Sequence, residues 1–323
     1  MVLSQHSDCP IVSTRTELAA VLATTTGQIA SFVDNTQGWY TRFEIPKSNS
    51  EPRVIEPPRN RLRVVQRILL KSLYSRVRMP SYLHGGLPKR SCITHARGHV
   101  GRAMVATLDV KSFFPSTNLS HIRPVYERLG FSNEALDDVI AMTMLRGALP
   151  QGAPTSCLLA NLAFAPTDAA IIRLICRRHL SYTRYVDDIA ISGDANFREL
   201  RGPLVDRIRD SGYEVANHKI HFMDASERQI VTGLVVNAKL RPTAEFTTAI
   251  KNDIRLCAHV GPLTLADLQG VRPGTIRARL NGRIAHVQAT DPKRGKRLKG
   301  MMCSISWSRP RKRGTAGGSR APS

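Results

Sequence analysis

Apolar positions lay out most of the chain before any single residue invites a chemical reading. Leu62, Val65, Leu69, Leu70 and Leu73, with Gln66 among them, recur at three- and four-residue intervals, which predicts a helix with one buried face. Upstream, Arg53, Val54, Ile55 and Glu56 run into Pro57 and Pro58, an extended segment that prolines end. Residues 104–108 form a short apolar run that predicts a strand leading into Asp109, and 119–145 reads as helical. A loop over 147–154 follows. From 155 to 175 the apolar residues keep helical period behind Pro154, Thr155 and Ser156, types favoured at helix starts, so one long buried helix is expected. Residues 181–185 and 189–192 are apolar flanks of an Asp187-Asp188 pair, a strand–turn–strand pattern. A helix over 197–210 is predicted next, then short strands at 213–215, 221–223 and 229–236, then mainly helix to about Ile284. The first 44 residues show helical patterning around Glu17–Ile29 and no motif with attachable chemistry.

Length and charge sharpen this outline. A chain of 323 residues exceeds one core of typical size and predicts two or three lobes. Its 47 Lys and Arg against 25 Asp and Glu leave a net charge of +22, and such a chain seeks polyanions, nucleic acid first among them. Residues 291–323 carry ten Lys or Arg and one Asp; without them the remainder still holds +13, so the excess is not a property of the tail alone. That Lys/Arg/Gly/Ser/Pro-rich tail is expected to be disordered, interrupted only by 301–307. No apolar stretch approaches the roughly 18 residues that crossing a bilayer demands, and Met1–Pro10 has no signal-peptide pattern. Six scattered cysteines without a C-x-x-C pair read as reduced thiols, consistent with the cytoplasm. His95 and His99 lie four apart, but two histidines make a poor zinc site.

The chemistry concentrates at Tyr185-Val186-Asp187-Asp188. Neighbouring side chains of a continuous strand face opposite ways, so adjacent carboxylates converge only where the chain turns. Like charges this close repel, and a divalent cation is the common way to offset the repulsion; a solvated Asp-Asp turn is the plainer alternative. A third carboxylate, Asp109, at the end of another apolar strand and followed by Lys111-Ser112-Phe113-Phe114, favours the cation. Three carboxylates at strand ends can hold two magnesium ions.

Asp109–Phe114, then Leu149-Pro150-Gln151-Gly152-Ala153-Pro154, then Tyr185–Asp188 resemble, in this order, the motifs of the reverse transcriptase family. The resemblance runs from about Arg53 to Asn237. It implies an α+β fold of right-hand polymerase architecture: fingers at 45–105, and a palm at 106–230 built on a small antiparallel sheet with helices behind it. Helices within 119–175 are shared with the fingers. A helical thumb at 231–290 completes it, with an N-terminal helical extension at 1–44 and the basic tail at 291–323. It further implies that Asp109 and Asp187 ligate two Mg2+ ions, for which Mn2+ can substitute, with Asp188 assisting and the Val110 carbonyl as a main-chain ligand. A bulky Phe114 beside the sugar would leave no room for a 2′-hydroxyl and so favour deoxynucleotides, with Phe113 more suited to the core. Gln151 and Gly152 are candidates for nucleotide and template contact, and Arg53 and Arg67 weaker ones. Gly212–Met223 resembles the family's next motif, with Asn217 and Lys219 as its polar residues; Lys219 would neutralise pyrophosphate or be a solvated loop lysine.

Two further features resemble the retron type. Val231-Thr232-Gly233 matches a triplet typical of it at the palm–thumb junction, and His95-Ala96-Arg97-Gly98-His99 is similar to its Asn-Ala-x-x-His, with His95 in place of asparagine. Both are expected to recognise RNA. The implied activity is RNA-directed DNA synthesis on a cognate structured noncoding RNA, with deoxynucleoside triphosphates as substrates and an RNA–DNA hybrid as product. It would take place in a bacterial cytoplasm away from membranes, and in antiphage defence with an effector protein. Group II intron-like, diversity-generating and abortive-infection enzymes are the alternatives, and a non-catalytic RNA-binding protein is a further one that the three aspartates argue against.

Overall fold

Each acidic residue sits where a short strand ends, and the surrounding elements exist to fix those ends. The computed structural model describes residues 10–47 and 50–307. Helices α1 (Arg15–Val21) and α2 (Thr26–Asp34) open the described chain, followed by a hairpin of β1 (Phe43–Lys47) and β2 (Ser50–Ile55), then α3 (Asn60–Arg76) and α4 (Cys92–Arg97). Next come β3 (Met104–Asp109), α5 (Phe113–Ser116), α6 (Leu119–Arg128), α7 (Asn133–Thr143), α8 (Ser156–Ala163) and α9 (Ala165–Ile175). Strands β4 (Ser181–Tyr185) and β5 (Asp188–Gly193), helix α10 (Arg201–Arg209) and β6 (His221–Asp224) complete the central region. Short strands β7 (Ile230–Val231), β8 (Leu234–Val235) and β9 (Arg241–Pro242) lead into α11 (Ala244–Val260), α12 (Pro262–Leu268), α13 (Pro273–Thr290) and α14 (Pro292–Met301).

The chain divides into two units, one reaching to Thr232 and including Val236–Lys239, the other made of Gly233–Val235 and everything from Leu240. The central sheet of the first runs β4-β5-β3-β6, every neighbour antiparallel. Strands β3 and β5 lie inside it and are almost wholly buried, as strands covered on both faces are. One core holds this unit together, from Val12 and Leu18 through Leu69, Leu108 and Phe164 to Val215. The N-terminal segment belongs to it: Thr14 caps α1 in a capping box with Glu17, and Arg15 grips Asp138 of α7 through two 2.7 Å hydrogen bonds.

The strand expected at 213–215 is only an isolated bridge between Val215 and Val110, and four further departures from the sequence expectations each have a local cause. The helix expected over 155–175 is two helices bent by 45°, because Pro166 enters the first turn of α9 without an N–H for the preceding turn. The helical stretch over 119–145 is likewise broken at Gly130, where α6 ends and a turn leads to α7. The single strand over 229–236 is interrupted at Thr232 and Gly233, both with positive φ, and Val236 returns to donate its N–H to the Gln229 carbonyl at 3.0 Å. Most tellingly, the segment expected to be disordered from residue 291 folds as α14. Asp291 caps it by accepting from the Arg294 amide, Pro292 opens it, and Leu298, Met302 and Ile305 are buried. They join Ile250, Leu280, Ile284 and Val287 in the second unit's own core, so the basic residues mask a narrow apolar stripe. Residues 308–323 of that tail lie outside the described residues. No single described helix is long and apolar enough to cross a membrane.

Candidate active site

Strand pairing brings the three carboxylates together. Asp109, the last residue of β3, is the register partner of Asp188, the first of β5, and directly opposed residues project to the same face. Tyr185 pairs with Asp188 across the β4–β5 hairpin, so Val186 and Asp187 are its two turn residues. Val186 has φ +59°, a conformation costly for a β-branched residue and cheap only for glycine. That turn lets Asp187 join the others instead of facing away. Its carbonyl accepts the Val110 N–H at 3.1 Å, tying the hairpin tip to the end of β3. The Val110 carbonyl itself accepts no hydrogen bond among the described residues.

Electrostatics at this cluster are those of crowded, half-buried carboxylates. Burial, then repulsion from Asp109, raises the Asp187 pKa, with Lys219 and Arg53 pulling the other way. Burial, then Asp187 and Asp109, pushes Asp188 up to about 7. Lys219 lies 2.9 Å from Asp109 Oδ2, where it neutralises part of the charge of that carboxylate. Oxygen-only donors that repel one another suit a hard divalent cation such as Mg2+. No group of three or more His, Cys, Asp or Glu among the described residues is placed to hold a metal ion by itself, and magnesium, which keeps waters and takes substrate phosphates as ligands, does not require one.

Around the carboxylates, other expected residues find places. Phe113 is buried and packs on Phe164 and Tyr213, while Phe114 is only half-buried, its ring 5.9 Å from that of Phe113. Gln151 receives the Glu56 N–H at 2.7 Å through its carbonyl. Gly152 has φ +113°, and a Cβ there would lie 3.0 Å from Ile55 Cγ2, so the Pro-Gln-Gly loop packs on the end of the strand that carries Arg53. Arg53 and Arg67 are exposed, as is Asn217.

The histidines do not go where the sequence suggested. His95 and His99 are both fully buried, so neither ring is presented at the surface. His99 bonds Ser192 Oγ and Thr183 Oγ1, each at 2.7 Å, and His95 stacks on Tyr185 with ring centroids 6.0 Å apart. The Thr232 hydroxyl donates to the Cys92 carbonyl at 3.3 Å and stands 3.5 Å from His95 Nδ1. Val231, also expected at an RNA surface, is wholly buried; of the triplet only Gly233 is exposed and Thr232 half-exposed. The physical reason is that these residues serve the front of the sheet, where polar side chains must find partners once covered.

A second group was missed from sequence. Arg184, one residue before Tyr185, is fully buried in an ion pair with Asp168 of α9, and it also bonds Asn161 of α8. The signal was present: Asn161 and Asp168 are polar residues inside the most apolar helical stretch of the chain, and Arg184 shares its strand face with the buried Tyr182.

The family described as reverse transcriptase (RNA-dependent DNA polymerase) matches residues 45–236. The retron Mx65 reverse transcriptase of Myxococcus xanthus is 29% identical over 316 residues, spanning 90% of this chain and 71% of that protein. The retron Mx162 reverse transcriptase of the same organism is 29% identical over 289 residues, 80% of this chain and 59% of that one. The retron Se72 reverse transcriptase of Salmonella heidelberg is 27% identical over 262 residues, with 77% and 69% covered. Among solved structures, a telomerase from Candida albicans aligns over 82% of this chain and 56% of that one at 12% identity, with a TM-score of 0.44.

Proposed function

We propose that this chain, which belongs to the reverse transcriptase family of RNA-dependent DNA polymerases, is of the retron type and copies a cognate structured noncoding RNA into single-stranded DNA by two-metal nucleotidyl transfer. The observation that carries this reading is the pairing of Asp109 with Asp188 on the adjacent strands β3 and β5, with Asp187 beside them in the β4–β5 turn. Bound there, two Mg2+ ions would supply an activated primer 3′-hydroxyl and charge stabilisation for the leaving pyrophosphate.

The chain's own groups do the rest. Asp109 and Asp187 would hold the ions, with Asp188 assisting and the Val110 carbonyl adding a main-chain oxygen. Lys219 holds the charge of Asp109 in check and would be placed to turn toward phosphate where cations offset that charge instead. Phe114, half-buried on Phe113, closes the space beside the sugar and disfavours a 2′-hydroxyl. Arg53, Gln151 and Gly152 line the nucleotide and template side, consistent with the packing of the Pro-Gln-Gly loop on β2. Residues 45–105 act as fingers, 106–230 as palm, and the second unit, whose described helices carry many exposed Arg and Lys, as a thumb for the backbone of an RNA–DNA duplex. The exposed backbone of Gly233 and the rim of Thr232 are the parts of the retron-type triplet open to RNA. Work in antiphage defence beside an effector protein, in a bacterial cytoplasm, completes the proposal.

Primer extension on an RNA template with Mg2+ and deoxynucleotides tests it. The wild type should extend the primer, and Asp187→Ala should abolish synthesis while RNA affinity stays within about twofold, because one carboxylate makes little of the phosphate contact. Joint loss of synthesis and RNA binding would remove Asp187 from the metal site. Sequencing nucleic acid that copurifies from the native host separates retron from other lineages: a short RNA–DNA hybrid is the retron result.

A further inference from the structure

We propose that Arg184 is a positioning residue for the metal-binding hairpin, acting from behind the sheet through the Val186 carbonyl and through Asn161 and Gly85. The inference rests on the polymerase reading above and deepens it.

Arginine has five N–H donors in a rigid fork, and here every one is used inside the protein. Nε gives to Asp168 Oδ1 at 2.8 Å and Nη2 to Asp168 Oδ2 at 2.7 Å. Nη2 also reaches the Asn161 carbonyl at 3.4 Å. Nη1 gives to Asn161 Oδ1 at 2.9 Å and to the Val186 carbonyl at 2.8 Å. The guanidinium lies over the Phe164 ring at 4.7 Å, at the α8–α9 bend, and 5.9 Å from the Phe113 ring that follows Asp109. One buried group thus touches both halves of the bent helix pair, the segment after one metal strand and the turn of the other.

The turn needs holding. Val186 carries a positive φ, and such residues persist only where their surroundings over-determine them. One side is the Arg184 bond. The other is Gly85, so close that a Cβ on it would stand 2.4 Å from both Val186 Cγ2 and Val186 N. Gly85 is placed by Asn161, whose Nδ2 donates to its carbonyl at 3.0 Å, and the orientation of that amide is set by Arg184. Arg184 therefore fixes Val186 directly and through its neighbour, and Asp187 and Asp188 follow Val186 in the chain. A purely structural ion pair would need only Asp168. The bond to Val186 does nothing for that pair and is what a positioning role requires.

The two roles separate in the variant Arg184→Met/Asp168→Leu/Tyr182→Phe. It replaces the ion pair, and the Tyr182 hydroxyl that bonds Asp168, by apolar groups of similar volume, a change that buried pairs commonly tolerate. Urea midpoint, Mn2+ affinity from the electron paramagnetic resonance signal of free Mn2+, primer–template affinity and kcat are measured on the full chain. A positioning role predicts a midpoint and primer–template affinity like the wild type, with Mn2+ affinity about tenfold or more weaker and kcat down about a hundredfold. Wild-type Mn2+ affinity and kcat in a stable triple variant would overturn it. Should the triple variant fail to fold, Arg184→Lys decides: it keeps a charge for Asp168 but lacks the fork that also reaches Val186, so the same losses are expected, and wild-type values overturn the role. Asp187→Asn sets the scale of a broken metal site, and a wild type that neither binds Mn2+ nor extends a primer overturns the polymerase reading along with this one.

Discussion

The two faces of strand β4 are held by opposite kinds of chemistry. Behind the sheet, Tyr182 and Arg184 meet Asp168 and Asn161, a charged cluster closed to water. In front, Thr183 and Tyr185 meet His99 and His95, neutral rings with hydroxyl and stacking partners. Both faces end at the same turn and so support the same carboxylates. Burial works against the charge of Arg184, but Asp168 more than offsets it and its pKa lies above the usual arginine range. Burial, then the neighbouring imidazoles, holds His95 down at about 3, and burial, then His84 and Arg102, holds His99 at about 4. The back support is strong and indifferent to pH near neutrality; the front support depends on staying uncharged.

The largest expected effect breaks the back face. Asp168→Ala leaves the Arg184 guanidinium buried without its counter-charge, and removing one partner of such a pair costs about 3–5 kcal/mol. Urea unfolding at neutral pH should show that loss. A cost under about 1 kcal/mol would mean that Asn161 and the Val186 carbonyl satisfy the guanidinium unaided, and the contrast between the faces would fail.

This asymmetry also explains what the sequence could and could not tell. Asp109, Asp187 and Asp188 were legible because strand ends and turns are local signals, and a Tyr-x-Asp-Asp between apolar runs carries its own geometry. Arg184 was not, because its partners lie 16 and 23 residues away and only the bent α8–α9 pair brings them behind β4. The burial of His95 and His99 was not legible for a related reason: a resemblance to a short motif carries no burial, and only tertiary packing shows the rings enclosed. In α14, composition overrode periodicity, since Lys and Arg outnumber the few apolar residues that dock it.

The next effect belongs to the front face and appears with acid. Because the folded state keeps both histidines neutral, the unfolded chain takes up more protons below the ordinary histidine pKa of 6.5. Stability is therefore complete above about pH 6.5 and falls as pH drops through that value toward about 4, where His99 protonates in place. At pH 5 each ring contributes a loss of about 2 kcal/mol. Urea midpoints between pH 7.5 and 5 measure it, and His99→Gln should flatten the curve by roughly one histidine's share. An unchanged slope in that variant would assign the acid sensitivity elsewhere.

The smallest effect sharpens the comparison at the edge of the front face. Thr232 has φ +45° and joins the histidine cluster only through its hydroxyl, donated to the Cys92 carbonyl at 3.3 Å and set 3.5 Å from His95. Thr232→Val keeps the branch and the backbone constraint but removes that hydroxyl, so the loss should be a single neutral hydrogen bond, about 1 kcal/mol. The unfolding midpoint reads this directly. Because the valine leaves the charged cluster behind β4 untouched, Mn2+ affinity should stay within about twofold of the wild type, well short of the tenfold or greater loss expected when a group supporting metal ligands is removed. A larger fall in Mn2+ affinity would show that the front of the sheet positions the carboxylates as firmly as the back, and the two faces would differ in pH response alone.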